Sequence, residues 1–595
     1  MVRLRFSWPA VAAPPFREDF FLGAWRAGGP LQVAWSEPPE SVEPAVVEGR
    51  NWCLLSNTAP LGGHSRGLVH HGLAGEGLNG EPLDGVAFRG YVLEPPLHSW
   101  SDSARLAQYW AAAPAQCPNG VFAAAMVSKS GARFELAADA LGIAPLYYRR
   151  LSAGVVVFAT SPRYLRCPGD GIDALAARML MHRGGALCGD VSLVPGVRRV
   201  PPGRTMVFEA GGVEERSWFS FASLPDGERP VTEQTLGEVE EVFQAAVDRC
   251  LRLMPGAAVH LPLSSGYDSR RILAALHARR VDFLALTVRV LQKGYRDLDG
   301  PFAAQMAREM GFRHLLLEYS PPQQYRIEDQ AFRRLLSSEV SEHSWSAPLM
   351  RSLERQPSLV FDGLAGDVLG QAVYRNPLLY TMPEDDKLAA LADLAFAPEV
   401  SRLWRERACS SLEEARAELI RHLSFLPEGR NRADLGWLMV RTRRGTGPWS
   451  QHLFPPGHLP VLPYLDHDYI RVALQCDPQD KLKEALQGRC LARFWPAWYA
   501  YAGGRRIPED LQPQSPGKVH RLQLTRLHQM RRECRMPLLL PDLRRRLTPP
   551  FYALAVASGW SQRLSLRIDW WLDPLLMIES YRYGATPCWT VEGAR

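Results

Sequence analysis

The sequence predicts an α/β protein with a β-rich N-terminal domain, a parallel-sheet domain and a mostly helical remainder. Short apolar runs broken by Gly and Pro fill residues 1–220, a pattern typical of layered strands. From about residue 230, short apolar runs alternate with helical segments, which is typical of a parallel sheet covered on both faces. From about residue 376 the chain is mostly helical and rich in Arg, Leu and Trp. A chain of 595 residues exceeds what one hydrophobic core organises, so several domains are expected.

Strand-like runs define the N-terminal domain, which we place at residues 1–220. The region closes with a predicted hairpin at 200–219, in which two strands flank a turn at Gly211-Gly212. The runs that indicate strands before this hairpin are GVFAAAMVSKSG (120–131), ARFELAADALGIAPLYYRR (132–150) and AGVVVFATSP (153–162).

The second domain, placed at residues 230–525, opens with an amphipathic helix. Apolar side chains recur every three or four residues along it. These are Leu236, Val239, Phe243, Val247 and Leu251. Apolar strands are predicted after it at 257–263, 283–290, 314–319 and 359–361.

We place a helical C-terminal extension at residues 526–595. A basic segment runs from Arg521 to Arg546, with Leu and Arg at helical spacings. Two interpretations stay open for it: a helix that docks a leader peptide or partner protein, or a solvated helix that closes the preceding domain.

Composition and charge narrow the class of protein. The net charge of +6 is compatible with an acidic ligand such as ATP but is too small to indicate nucleic-acid binding. The chain contains no run of about 18 uncharged apolar residues, so no membrane span is expected. The N-terminal residues lack the continuous apolar core of a signal peptide, so we expect a cytoplasmic protein. The ten cysteines include no CxxC or Cys/His cluster, which disfavours a zinc site and a disulfide framework.

A polar loop follows the predicted strand 257–263. Its residues are Ser264, Ser265, Gly266, Tyr267, Asp268 and Ser269, after Leu263 at the end of the strand. Small residues allow backbone N–H groups to approach an anion, and the N-terminus of the following helix adds a partial positive charge. Asp268 can hold a magnesium ion that bridges phosphates. The loop is not a Walker A sequence, and an ordinary Ser/Gly turn that caps a helix is the alternative interpretation.

A second small-residue loop ends the predicted strand 359–361. It reads FDGLAGD over residues 361–367, with Gly363, Gly366 and Asp367 in the loop. Because loops at the carboxyl ends of parallel strands line one crevice, the two loops are expected to face each other. Asp268 and Asp367 are then placed to hold one magnesium–pyrophosphate unit, although a lone Asp is commonly a turn or cap residue.

Taken in order, these motifs resemble the asparagine synthetase family. Residues 264–269 resemble its pyrophosphate loop SGGxDS, with Ser265 in place of the first glycine. Residues 361–367 resemble its second phosphate loop, where Val368 replaces the usual Glu, and 462–466 (LPYLD) resemble its PFLD motif. Three N-terminal stretches resemble its glutaminase-like domain; they are Asn119–Ala123, Asp139 with 142–148, and 201–203. The resemblance covers roughly residues 100–520.

The resemblance implies a fold and a chemistry. It implies a glutaminase-like (Ntn-type) αββα domain followed by an ATP-pyrophosphatase-type synthetase domain, with ATP and Mg²⁺ as cofactors and AMP and pyrophosphate as products. The family places adenosine contacts at Thr287 and Val288, for which strand packing is the alternative. It also implies Lys518 as the cation at the tetrahedral intermediate, or else a surface lysine. Arg443 and Arg444 are candidates for phosphate or substrate-carboxylate binding, or else surface arginines.

Departures from the family pattern concern the source of the amine. Glutamine-dependent members carry a catalytic cysteine directly after the initiator methionine, whereas this chain has Val2 there and its first cysteine is Cys53. Glutamine hydrolysis is therefore expected to be absent. Relatives without it close amide bonds within one substrate, as β-lactam synthetases and lasso peptide cyclases do. β-Lactam synthetases carry a tyrosine where this chain has Leu364, so the resemblance favours a lasso peptide cyclase acting on a precursor peptide, with a leader-binding protein and a leader peptidase as possible partners.

Two other functions stay open. One is an ammonia-dependent asparagine synthetase or another small-molecule amide or β-lactam synthetase. The other is a nucleotide-binding scaffold without activity, which the altered Ser265, Leu364 and Val368 positions keep open and the two retained aspartates disfavour. No general base is assigned, although His343 and His520 are conceivable.

Overall fold

The computed structural model of the protein covers both predicted domains and a short C-terminal strand. The residues it describes are 1–8, 20–36, 45–56, 70–71, 83–94, 96–98, 118–182, 187–290, 299–319, 339, 347–353, 356–372, 376–396, 412–452, 457–500 and 588–592.

Two antiparallel sheets form the N-terminal part, as the apolar runs predict. The first contains β6 (His70–His71), β7 (Leu83–Val92), β8 (Leu97–His98), β9 (Gly120–Ser128), β10 (Phe134–Ala138), β14 (Arg204–Glu209) and β15 (Gly212–Ser217), in the order β15-β14-β10-β9-β7-β6 with β8 paired to β7. The second contains β2 (Phe21–Arg26), β4 (Ala45–Glu48), β5 (Trp52–Ser56), β11 (Tyr147–Arg150), β12 (Val155–Ala159) and β13 (Val197–Arg199), in the order β13-β11-β12-β2-β5-β4. The predicted hairpin is β14–β15.

The core between these two sheets follows from the alternation of side chains along each strand. On β9, Ala123, Ala125 and Val127 face the large central core. Intervening residues of β9 face a smaller apolar cluster on the outer side of the same sheet, against Trp218. Across the central core, the rings of Phe134 and Phe158 lie 4.6 Å apart. These are the two β layers of the predicted αββα arrangement, and helix α1 (Ala174–His182) follows β12.

A third, three-stranded sheet joins the two ends of the described chain. Strand β21 (Cys588–Glu592) pairs antiparallel with β1 (Val2–Ser7), which pairs parallel with β3 (Leu31–Trp35). The prediction of a wholly helical extension at 526–595 is therefore wrong for 588–592, and 526–587 lie outside the described residues. Local sequence did not reveal this strand because its partner lies at the opposite end of the chain. Trp589 anchors β21: its side chain is fully buried and its indole N–H donates to the Tyr164 carbonyl at 2.8 Å.

The second domain is built on a parallel sheet, as predicted, which has five strands: the four predicted ones and β20, which the sequence analysis did not predict. Its strands are β16 (Ala258–Pro262), β17 (Phe283–Val290), β18 (Arg313–Tyr319), β19 (Ser358–Phe361) and β20 (His458–Val461), in the order β18-β17-β16-β19-β20. The helices around it are α2 (Glu233–Arg252), α3 (Tyr267–Ala278), α4 (Asp299–Met310), α5 (Ala347–Ser352) and α6 (Gly366–Gly370). The side chain of Thr232 caps α2 by accepting from the Thr235 N–H at 3.2 Å. The chain runs outward from β16 to β18 and then returns to the other side of β16, so β16 and β19 flank the point where the strand order reverses.

The rest of the second domain is helical, in agreement with the sequence. Its helices are α7 (Glu384–Phe396), α8 (Leu412–Leu423), α9 (Arg432–Trp437), a π-helical segment (Leu438–Thr446), α10 (Gly447–His452), α11 (His467–Gln475), α12 (Pro478–Lys483), α13 (Leu486–Phe494) and α14 (Pro496–Tyr499). Asp466 caps α11 and also accepts two hydrogen bonds from Arg249, at 2.6 and 2.7 Å. Asn119 of the N-terminal part donates to the same carboxylate at 3.0 Å. A carboxylate that is fully buried thus joins three segments of the chain.

Among the described helices, none is both long enough and apolar enough to cross a membrane.

Removing the indole of Trp589 tests the role of β21. We expect Trp589→Ala to destabilise the N-terminal sheets by about 3–5 kcal/mol, because it deletes a fully buried aromatic side chain and leaves the Tyr164 carbonyl without this donor. Thermal unfolding followed by tryptophan fluorescence and limited proteolysis measure the effect. The matched control is Thr590→Ala on the same strand, and equal unfolding temperatures for the two variants would contradict the anchoring role.

Candidate active site

The candidate site lies at the carboxyl edge of the parallel sheet, between the loops that follow β16 and β19. In open α/β sheets this position, outside the strand ends where the strand order reverses, is where ligands bind. A cleft of about 330 Å³ opens there. Residues of both predicted loops line it, together with the end of β17, the first residue of α4 and the helical segment around 437–446.

The first loop is held by its own serines. Ser264 N–H donates to Ser269 Oγ at 3.1 Å, and the two hydroxyls lie 3.0 Å apart. The Gly266 N–H donates to Ser264 Oγ at 3.2 Å. Leu263, Ser264, Asp268 and Ser269 line the cleft, as predicted for a phosphate-binding loop. Gly266 instead provides the N-cap position of α3.

Tyr267 takes a different position from the rest of the loop. It is not among the residues that line the cleft. Its ring stacks on that of Tyr499 with 6.0 Å between centroids, and the guanidinium of Arg270 lies 4.8 Å from its centroid. The prediction that Tyr267 binds ATP or pyrophosphate with the rest of the loop is therefore corrected: its side chain packs α3 against the helix that contains Tyr499.

The serine that replaces a glycine in the loop has a specific partner. Both the N–H and the hydroxyl of Ser265 donate to Asp299 Oδ1, each at 2.7 Å. Asp299 begins α4 and also lines the cleft. The sequence alone did not single out Asp299, because an acidic residue in the first turn of a helix is common for reasons of the helix dipole. The structure thus assigns the Ser265 side chain a second hydrogen bond that glycine cannot make.

The second loop packs directly on Asp268. A Cβ at position 366 would lie 2.7 Å from Asp268 Oδ1, and one at 363 would lie 3.1 Å from Asp268 Cβ, so Gly366 has no room for a side chain and Gly363 has little. Between them, Ala365 adopts φ 68°, a left-handed conformation that L-residues rarely take. Asp367 Oδ1 accepts from the Val368 N–H at 2.8 Å. The two glycines therefore let both loops, and with them Asp268 and Asp367, share one cleft.

Three carboxyl groups in this cleft have raised pKa values. Burial and then the nearby Asp367 carboxylate raise the pKa of Asp268 well above its usual value. Burial raises the pKa of Asp362 to about 6, against a hydrogen bond from the Leu364 N–H. Burial also raises the pKa of Asp367, and the Val368 N–H and the charge of Arg441 oppose that rise. A cation between these groups would lower their pKa values, so the arrangement favours cation binding.

The carboxylates of Asp268 and Asp367 suit a magnesium ion, which does not need a site made entirely of protein ligands. Within the part of the chain that the structure describes, no group of three or more His, Cys, Asp or Glu side chains is placed to hold a metal ion. Magnesium commonly takes one or two protein carboxylates and completes its shell with water and substrate phosphates. Asp268 and Asp367 fit that requirement because they line the same cleft as a loop rich in N–H and hydroxyl donors.

The residues predicted to contact adenosine lie at the cleft. Thr287 and Val288 both line it, at the end of β17. Thr287 Oγ1 donates to the Leu263 carbonyl at 2.8 Å and lies 3.0 Å from His314 Nε2. The hydroxyl of Thr287 therefore ties β17 to the first loop, which is the strand-packing role weighed as the alternative, while its position at the cleft keeps the adenosine prediction open.

The LPYLD motif and helix α13 hold the backbones of the two loops through hydrogen bonds. The Tyr464 hydroxyl donates to the Asp268 carbonyl at 3.0 Å. The Gln487 amide on α13 donates to the Gly366 carbonyl. Tyr464 is fully buried, so its hydroxyl sets the backbone of Asp268 rather than meeting a ligand. A phenylalanine, as in PFLD, lacks this donor.

Arg443 and Arg444 are placed away from the cleft. Both side chains are fully buried. Arg443 binds the Asp190 carboxylate at 3.0 Å, and Arg444 binds Glu339 at 3.0 Å and the Gly189 carbonyl at 2.8 Å. These contacts fix the helical segment to the N-terminal part, so the assignment of the two arginines to phosphate or substrate is corrected to a structural one.

The residues of this segment that do line the cleft are neighbours of the predicted arginines. They are Trp437, Arg441, Thr442 and Thr446. The segment Leu438–Thr446 is π-helical, which changes the residues that share a face, and π-helical turns often occur at functional sites. Sequence reasoning missed Arg441 because nothing in the local sequence distinguishes it from Arg443 and Arg444. Lys518, His343 and His520 lie outside the described residues.

Comparison with known proteins supports the assignment of the N-terminal part. Residues 95–219 match the family profile of a glutamine amidotransferase domain. No curated protein matches the chain. Residues 95–219 are thus similar to a glutamine amidotransferase domain, and the N-terminal part of this mixed α/β protein is called the amidotransferase-type domain below.

Two solved structures are among those similar to the chain. One is the glutamine phosphoribosylpyrophosphate (PRPP) amidotransferase of B. subtilis complexed with ADP and GMP, with 11% identity, 59% of this chain and 71% of that chain covered, and a TM-score of 0.21. The other is described as the allosteric regulatory enzyme of purine biosynthesis, with 9% identity, 51% and 75% coverage, and a TM-score of 0.20. Scores this low carry no conclusion about the ligands or activity of this chain.

The amidotransferase-type domain presents no exposed cysteine among its described residues. Cys53 on β5 and Cys188 are buried, and Cys167 is partly buried. Burial raises the pKa of the Cys53 thiol far above its usual value, so it carries no thiolate near neutral pH. Position 2, the first residue of β1, is valine.

Replacing Asp268 by asparagine tests the electrostatics of the cleft. Because the folded-state pKa of Asp268 is raised, the folded chain binds this proton more tightly than the unfolded chain, and stability from this group falls as pH rises above about 3.9. Without divalent cations at pH 8, we expect Asp268→Asn to raise the unfolding temperature by about 2 °C or more. The difference should shrink toward pH 5. Differential scanning calorimetry measures it, with the exposed Asp282→Asn as control, and a lower unfolding temperature at pH 8 would contradict the raised pKa.

Proposed function

We propose that the protein is an ATP-dependent, AMP-forming amide-bond synthetase with an ATP-pyrophosphatase-type second domain. The observation that carries the proposal is the meeting of two small-residue loops, each with an aspartate, in one cleft at the carboxyl edge of a parallel sheet. The glutamine amidotransferase-type domain before it supports the same reading, because such domains accompany enzymes that form carbon–nitrogen bonds.

In the first half-reaction a substrate carboxylate attacks the α-phosphate of ATP, giving an acyl-adenylate and pyrophosphate. The loop at 264–269 and the N-terminus of α3 bind the departing pyrophosphate through N–H and hydroxyl groups. Mg²⁺ held by Asp268 and Asp367 would neutralise charge that develops on it. Gly363 and Gly366 allow the backbone of the second loop, which also carries Asp367, to lie against Asp268.

Binding of the nucleotide requires the first loop to exchange hydrogen-bond acceptors. The N–H groups of Ser264, Ser265 and Gly266 donate to side-chain oxygens of the chain itself. A phosphate oxygen that enters the loop replaces these acceptors, among them the Asp299 carboxylate. The observation that favours the second candidate, a nucleotide-binding scaffold without activity, is that these N–H groups already have acceptors within the chain.

In the second half-reaction an amine attacks the adenylate and AMP leaves. The absence of an exposed cysteine in the described part of the amidotransferase-type domain supports an amine that does not come from glutamine. When the amine belongs to the same substrate, the enzyme has to hold that substrate in a conformation that brings the amine next to the acyl carbon. This positioning accelerates the attack. The specific form we propose is a lasso peptide cyclase, which joins the N-terminal amine of a precursor peptide to an Asp or Glu side chain.

Leu364 supports the peptide reading over a β-lactam synthetase. It is part of the second loop, lines the cleft and carries no group that can transfer a proton. A precursor peptide is the substrate in this form of the reaction, and a leader-binding protein and a leader peptidase are its candidate partners. The alternative is an ammonia-dependent asparagine synthetase, which would use the same adenylation chemistry on a small substrate.

Release of AMP and pyrophosphate tests the proposal. The wild-type chain is incubated with Mg·ATP and either a precursor peptide encoded near its gene or aspartate with ammonium. We expect AMP with the peptide only, and loss of about 100-fold or more of that rate in Asp268→Ala, because the variant lacks a magnesium ligand at the leaving pyrophosphate.

The control variant is Asp282→Ala, whose carboxylate lies in the same domain and is 85% exposed. Full activity of Asp268→Ala would contradict the adenylation mechanism. AMP formation with aspartate and ammonium instead of the peptide would contradict the peptide assignment and leave the adenylation chemistry in place. Binding of ATP without any AMP would favour the scaffold.

A further inference from the structure

The cleft has an unequal distribution of charge. Four aspartates line it: Asp268, Asp299, Asp362 and Asp367. Among the described residues that line it, Arg441 is the single Lys or Arg. The negative charge of these aspartates repels a polyanion such as ATP unless cations neutralise it. The position of Arg441 therefore influences where the phosphates of such a ligand can lie.

Arg441 lies on the side of the cleft formed by the second loop. Asp367 of that loop lines the cleft together with Arg441. The preceding helix α9 packs against α6, the helix that begins in the second loop. Arg441 is partly exposed at the cleft, while its neighbours Arg443 and Arg444 are fully buried.

The segment that carries Arg441 is held rigidly. Arg199 of the amidotransferase-type domain donates to the Arg443 carbonyl at 3.1 Å and to the Gly142 carbonyl at 2.7 Å. Arg443 in turn donates to the Val200 carbonyl at 2.9 Å. Such buried, charge-assisted contacts fix the backbone near Arg441, so its side chain extends from a well-supported segment of the chain.

We propose that Arg441 is a catalytic residue that binds the α-phosphate of the nucleotide, the phosphate that remains with AMP. This rests on the proposed function, in which the loop at 264–269 takes the β- and γ-phosphates. The α-phosphate is the next phosphate along the nucleotide, and Arg441 is the cation that lines the cleft on the adjacent side. A guanidinium presents paired donors to phosphate oxygens and stabilises the charge on them as the carboxylate attacks.

The proposal separates the binding of AMP from the binding of pyrophosphate. Isothermal titration calorimetry with the full chain and Mg²⁺ measures AMP, inorganic pyrophosphate and ATP in turn. We expect Arg441→Met to weaken AMP and ATP binding by about 10- to 100-fold and to leave pyrophosphate binding unchanged. We expect Arg441→Lys to retain part of the AMP affinity, and Ser264→Ala to weaken pyrophosphate but not AMP.

Arg252→Met is the control, since its side chain is 56% exposed at the end of α2. Circular dichroism of Arg441→Met checks that the fold is kept, and if it is not, Arg441→Lys alone decides by its AMP affinity relative to pyrophosphate. Unchanged AMP binding in Arg441→Met, or loss of pyrophosphate binding alone, overturns the role of Arg441. A wild-type chain that binds none of the three ligands overturns the proposed function itself, and this assignment with it.

Discussion

The close approach of Gly366 to Asp268 is the contact on which the candidate site depends. Because position 366 has no Cβ, the backbone of the second loop can lie against the Asp268 carboxylate, where any side chain would come within 2.7 Å of it. That approach brings a second aspartate into the same cleft, where burial and then the second carboxylate raise the pKa of Asp268. The folded chain therefore carries an electrostatic cost at neutral pH that a bound cation relieves, and such costs are typical of functional sites.

Several buried contacts outside the cleft hold this arrangement in place. Tyr464 fixes the backbone of Asp268, and Gln487 fixes that of Gly366. On α3, Arg271 is fully buried and paired with Glu240 of α2 at 2.9 Å, which fixes the helix whose N-terminus faces the cleft. The amidotransferase-type domain also holds the π-helical segment in place, because its backbone carbonyls accept hydrogen bonds from Arg443 and Arg444. The domain therefore helps to hold the cleft in place, and this structural role does not depend on the source of the amine.

The sequence predicts most of the parallel sheet because its strands are apolar on both faces and end in small-residue loops. The prediction at 283–290 coincides with β17, and that at 257–263 differs from β16 by one residue at each end. Both loops were found from composition and from the rule for parallel strand ends. Two features were beyond that reasoning: β21 depends on pairing with the first strand of the chain, and the position of Arg441 at the cleft depends on how its segment packs in the folded chain. Arginines are usually at the surface, so the burial of Arg443 and Arg444 was not foreseeable without their carbonyl partners.

The central claim is that Asp268 and Asp367 together hold the metal of a metal–nucleotide complex. A crystal structure of the full chain with Mn²⁺ and a non-hydrolysable ATP analogue tests it most directly, because anomalous scattering locates the metal independently of the nucleotide. The account predicts one Mn²⁺ bound by both carboxylates and by phosphate oxygens, with the terminal phosphates at the loop 264–269. A nucleotide bound elsewhere, or a metal that contacts neither aspartate, would contradict it.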